Sequence, residues 1–182
     1  MIKSQYIISI LLFFPLLLIQ TTIVPLLAID TVIPDLIIVL LVYYSITQGQ
    51  IYGSILGFTY GFLFDIITGS LLGSAMIAKT MAGFTAGYFS SENKQDQNLV
   101  SYNFALIVLL SSLIDSTINA FFSSINFTSN IFLLFFQYAL LPAIYTAALA
   151  LMGMIFYPKR KMFWNPLTSL QLAEELLFML LW

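Results

Sequence analysis

Charge is nearly absent from this chain: only 8% of its 182 residues are charged, while 60% are hydrophobic. A soluble domain carries about 25% charged residues. So few charges cannot cover a globular surface, so lipid must be the solvent. A membrane span takes about 20 apolar residues. With short loops the length therefore allows roughly six or seven helices, and no soluble domain of normal size fits in what remains. The chain contains no Cys and no His. Disulfides, thiolate nucleophiles, imidazole bases and the commonest metal ligands are thereby excluded.

Apolar runs and their interruptions predict an all-α, polytopic bundle of six spans, about 6–27, 34–47, 51–67, 71–89, 102–122 and 131–156. These form one domain, 1–161, followed by a tail, 162–182. The first run is longer than the apolar core of a cleaved signal and has no small-residue cleavage site after it. Pro34-Asp35 opens the short second span, with Pro suited to a first helical turn and Asp to the positive end of the helix dipole. Lys3, Lys94, Lys159, Arg160 and Lys161 all fall on one side of a six-span arrangement. By the positive-inside rule that side is cytoplasmic, together with both termini. The tail, with a cap at Asn165-Pro166 and an apolar end over 176–182, is predicted to be a helix lying on the inner membrane surface or on a partner.

Three ionisable residues lie within the predicted spans: Asp65, Lys79 and Asp115. Each is costly in hydrocarbon, so each should face the bundle interior and find a partner. Counted from the predicted outer ends, Lys79 lies about 12 Å deep and Asp115 about 10 Å. Asp115 is therefore the expected partner of Lys79, with the shallower Asp65 as the alternative. In the fifth span Ser111, Ser112, Asp115, Ser116 and Asn119 fall within an arc of about 140°. Such a stripe must face protein or water. Two readings follow, an internal hydrogen-bonded seam or a ligand cavity or partner contact. Gly53, Gly57 and Gly61, and likewise Gly83 and Gly87, recur every four residues. That spacing lets membrane helices approach closely, either within the bundle or in a groove for a partner helix. In the sixth span Pro142 is expected to kink the helix by freeing a carbonyl near Tyr138. No nucleophile–base pair, metal-ligand cluster or phosphate-cradling loop is present, which predicts a non-enzymatic protein without cofactor or metal.

The stretch 34–89 resembles the MreD family of bacterial rod shape-determining membrane proteins. The resemblance is carried by Pro34-Asp35-Leu36 and by Gly53-Ser-Ile-Leu-Gly57-Phe58 with Gly61-Phe62-Leu63-Phe64-Asp65. Gly69-Ser-Leu-Leu-Gly73, the small-residue helix ending at Gly87, and Asp115 complete it. It implies a scaffold subunit of the cell-wall elongation machinery in the bacterial inner membrane. That subunit would bind MreC and other membrane proteins of the machinery, and help couple MreB filaments to peptidoglycan synthases. It also implies a fold resembling the substrate-binding components of energy-coupling-factor transporters. The alternative expectation is therefore a membrane component that binds a vitamin-like small molecule.

Overall fold

The structure, a computed structural model, describes residues 4–28, 32–90, 99, 102–123 and 135–156. Lys3, Lys94, Lys159, Arg160, Lys161 and the tail 162–182 lie outside the described residues, so the basic residues that orient the chain are known from sequence alone. The described residues form six α-helices: α1 Ser4–Thr22, α2 Leu36–Gln48, α3 Gln50–Thr68, α4 Ser74–Tyr88, α5 Tyr102–Ser123 and α6 Leu141–Phe156. A 3-10 turn, Val24–Leu27, follows α1, and a π-helical turn, Phe136–Leu140, leads into α6. No β-strand element occurs among them.

Four stretches are long and apolar enough to cross a membrane: Ile8–Leu26, Gln50–Thr68, Tyr102–Phe122 and Phe136–Gly153. The other two helices, α2 and α4, have 13 and 15 residues. At 1.5 Å per residue they measure only about 20 and 22 Å. Both are bounded by glycines in the left-handed φ range that L side chains avoid. Gly49 (φ 98°) separates α2 from α3, Gly69 (φ 66°) ends α3, and Gly73 (φ 107°) precedes α4. The fourth helix therefore begins three residues later than the apolar run suggests.

Short helices suit this core because protein, not lipid, surrounds α2. Its Ile37, Ile38, Leu41, Val42 and Ile46 are all fully buried, packed with Phe13 and Leu17 of α1, Leu56 and Tyr60 of α3, and Val108 of α5. Tyr60 stacks on Phe13 with ring centroids 4.5 Å apart and donates to the carbonyl of Ser9 at 2.8 Å. The outward faces of α3 and α4 carry Phe58, Phe62, Ile77, Met81 and Phe84, all exposed. An apolar exterior is what a lipid solvent demands.

Pro142 acts differently from a simple kink. Proline cannot donate to the carbonyl one turn back. Ahead of it the backbone widens, and Leu141 N–H reaches the carbonyl of Phe136, five residues earlier, as in a π-helix. The expected disruption is thus spread over one π turn.

Candidate functional site

Glycine packing sets the geometry of the site. The α3 and α4 helices run antiparallel with their backbones in contact. A Cβ built on Gly53 would strike the carbonyl of Gly83, one on Gly57 the carbonyl of Lys79, and one on Gly61 the carbonyl of Ala75. Gly83 meets Gly53 in return, and Gly87 abuts Gln50. Both rows therefore lie inside the bundle, each filling the other. Neither row faces outward, so neither forms the open groove for a partner helix that the spacing also allowed. Close approach also fixes α4 in depth and rotation, which aims Lys79 at the centre of the bundle.

Lys79 meets two carboxylates. Its Nζ lies 2.5 Å from Asp35 Oδ2 and 3.6 Å from Asp115 Oδ1. The lysine side chain is 2% exposed, Asp115 5% and Asp35 24%. Phe64 covers the ammonium, with its ring centroid at 5.5 Å. Asp115, the partner expected from depth, is in contact, but Asp35 is closer, and sequence reasoning missed it. The cause is where α4 starts. From Ser74 the lysine is only five residues in, about 7.5 Å, shallow enough to reach the mouth of α2.

Asp35 has several partners. It is the N-cap of α2, with Oδ1 accepting from Ile37 N at 2.9 Å and Ile38 N at 3.3 Å. Pro34 therefore precedes the cap instead of occupying the first turn. The backbone around Asp35 is clamped from both sides. Gln20 of α1 donates to Pro34 O at 2.8 Å and accepts from Leu36 N at 3.0 Å. Thr146 of α6 accepts from Asp35 N at 3.0 Å and donates to Pro142 O at 2.8 Å. These contacts satisfy amides that every helix start leaves unpaired. Gln20 and Thr146, polar residues in apolar spans, were the sequence signal for this clamp.

Asp65 makes no ion pair with Lys79. It is buried at the end of α3, and its carboxylate reaches over the Gly69–Gly73 turn to the start of α4. It accepts from Ser70 Oγ at 2.7 Å, Gly73 N at 2.8 Å, Ala75 N at 3.3 Å and Met76 N at 3.4 Å. The positive end of a helix dipole and free N–H groups stabilise its charge there without a cation. Gly69 and Gly73 have open space around a notional Cβ, so their backbone conformation alone requires glycine.

On α5, Ser111, Ser112 and Asp115 are buried, while Ser116 and Asn119 are half-buried. Asn119 Nδ2 donates to the carbonyl of Asp115 at 3.0 Å and to its Oδ2 at 3.1 Å. Ser111 Oγ and Asp115 Oδ1 are buried without a hydrogen-bond partner among the described residues. The polar stripe therefore faces inward, towards the charge cluster. One cleft of about 460 Å³ opens beside the cluster, lined by Gln20, Thr21, Pro25, Ile33, Phe64, Ile67 and Thr68. Its polar groups are spent internally: Gln20 on α2, Thr21 on the carbonyl of Leu17, and Thr68 on that of Phe64. Among the described residues no group of three acidic side chains could hold a metal ion.

A protein-family model described as rod shape-determining protein MreD matches residues 1–181. No curated protein and no solved structure matches the chain.

Proposed function

The chain belongs to the MreD family of rod shape-determining proteins, a membrane family of the rod-shape machinery, and from this premise we propose that it is a non-enzymatic scaffold subunit of cell-wall elongation. It binds MreC within the inner membrane and helps couple MreB filaments to the peptidoglycan synthases. All six helices cross the bilayer, with both termini in the cytoplasm. The short α2 does so enclosed by other helices, so it need not match the hydrocarbon thickness itself, and α4, apolar on its exposed face, is met by local thinning of the bilayer.

One observation supports a scaffold most directly. Lys79 is paired with carboxylates of the fold itself, and the polar side chains of the neighbouring cleft are already bonded within it. A binder of polar small molecules keeps convergent polar groups free for its ligand. What this fold leaves free is its apolar outer surface, which suits a partner that is itself a membrane helix. With both glycine rows spent inside the bundle, the partner's contact falls to side chains on the helix exteriors, such as Phe58, Phe62 and Phe84, or to the apolar tail 176–182.

The test is co-purification of the tagged chain from native membranes in mild detergent. MreC should be recovered with it, and Phe58→Ala/Phe62→Ala/Phe84→Ala or removal of 176–182 should separate the two while the chain stays folded. Recovery of a stoichiometric small molecule without MreC would overturn the scaffold reading in favour of a vitamin-type binder.

A further inference from the structure

The charge cluster does not balance. Two carboxylates, Asp35 and Asp115, share one ammonium, and a net negative charge in a low-dielectric interior is costly. Asp115 Oδ1, buried and 3.6 Å from Lys79 Nζ, has no hydrogen-bond partner among the described residues. No other basic residue of the chain is at hand. The chain has six, and besides Lys79 they are Lys3, Lys94, Lys159, Arg160 and Lys161. In the six-span arrangement proposed above, those five fall at the opposite end of the bundle. A further positive charge has to come from outside the chain.

Asp35 is the member of the cluster that can be reached, at 24% exposed against 2% for Lys79 and 5% for Asp115. Its end of the bundle is apolar outside: Leu26, Ile33 and Ile67 are all exposed. A cation carried on an apolar body suits such a rim better than a hydrated ion does. The cleft beside the cluster has room for that body. It measures about 460 Å³, within the range of small-molecule sites. Gln20 in its wall bonds the backbone on both sides of Asp35, and Phe64, also in its wall, covers Lys79. Pro25, Ile33, Phe64 and Ile67 line it with hydrocarbon, and its polar side chains are bonded within the fold. The cleft therefore accepts hydrocarbon, and the rim next to it accepts positive charge.

We propose that this end of the bundle binds one aminophospholipid, with its ammonium at the exposed edge of Asp35 and hydrocarbon of the same molecule in the cleft. A primary ammonium is a compact charge with three N–H donors. A quaternary ammonium has the charge without the donors, and an anionic headgroup meets two carboxylates with one ammonium between them. The aminophospholipid headgroup is a zwitterion, so its phosphate lies on the water side, farther from the acids. The bound ammonium supplies local positive charge at Asp35 and leaves more of Lys79 to Asp115, whose oxygen is otherwise poorly served.

Native mass spectrometry of the full chain, released from nanodiscs of phosphatidylethanolamine, phosphatidylcholine and phosphatidylglycerol in equal parts, reads the site without any partner protein. The wild type should keep one phosphatidylethanolamine in preference to the other two. Asp35→Asn keeps the cap of α2 and should weaken that retention about tenfold, the ratio worth 1.4 kcal/mol. Asp115→Asn changes a residue too buried to touch the lipid, but it balances the cluster and should weaken retention in the same direction. Ile67→Trp fills the cleft from its exposed side and should remove the bound lipid altogether. Circular dichroism shows that each variant is helical. A helical wild type that keeps the three lipids alike overturns the proposal, as does a preference that survives in both Asp35→Asn and Ile67→Trp. Lipid retention blind to headgroup, together with loss of MreC from Asp35→Asn in the co-purification above, would overturn it in favour of a basic side chain of the partner. If Asp35→Asn fails to fold, Asp115→Asn and Ile67→Trp decide the question.

Discussion

Replacing Lys79 with methionine isolates the ionic core. Methionine has similar length and helix propensity, so α4 keeps its backbone and most of its packing. What disappears is the ammonium that lies 2.5 Å from Asp35 and 3.6 Å from Asp115. Removing one partner of a buried ion pair costs about 3–5 kcal/mol, because a charge is left buried without compensation. Asp35 is 24% exposed and keeps its two amide donors, which puts Lys79→Met near the lower end, about 3 kcal/mol. The rescue pattern carries more information than the loss. Asp35→Asn in the Lys79→Met background removes the stranded charge and keeps the cap, since Asn caps as well as Asp. It should restore part of the stability. Asp35→Ala in the same background should restore about 1 kcal/mol less, the worth of the cap. Asp115→Asn should restore at least as much as Asp35→Asn, because its carboxylate is the more deeply buried of the two. Helix content followed by circular dichroism through a denaturant titration in lipid–detergent micelles gives these differences. A Lys79→Met protein within about 0.5 kcal/mol of wild type, the scatter of neutral surface changes, would refute the reasoning.

Gly57→Ala should cost about 3 kcal/mol or more, the upper end of overpacking, because its Cβ meets the backbone of Lys79 and Thr80. Gly153→Ala, with no atom within 4 Å of the new Cβ, should be neutral or stabilising by up to about 1 kcal/mol; the same titration separates the two. Asp65→Ala should cost about 2 kcal/mol as the lost cap of α4, and Asp65→Asn less, with Lys79→Met/Asp65→Ala showing additive losses because the two sites share no ion pair. The native chain has no cysteine, so single cysteines at Asn93, Asn126 and Asn165 can be labelled in intact cells. Asn93 and Asn165 should be protected from an impermeant reagent and Asn126 accessible, and labelling of Asn165 from outside would break the six-span arrangement.

Composition decided the solvent, and the long unbroken apolar runs decided the secondary structure, because a backbone in lipid is satisfied only in helices or closed barrels and barrel strands alternate apolar with polar residues. Residue spacing also decided that Gly53, Gly57, Gly61, Gly83 and Gly87 pack helices, since a row of small side chains has that consequence wherever it faces. It placed Lys79 and Asp115 within reach of one another by depth. Partner choice was beyond it. Whether a glycine row faces a neighbour or lipid depends on helix rotation, and the structure turns both rows towards each other. Which acid takes the lysine depends on a few ångströms of depth, and those were set by Gly73. Its left-handed backbone starts α4 at Ser74 and so lifts Lys79 to the level of Asp35. Asp65 had looked like a spare counter-ion from sequence. The same turn brings the free amides of α4 over its carboxylate, and a helix start provides positive potential that no count of charged residues records.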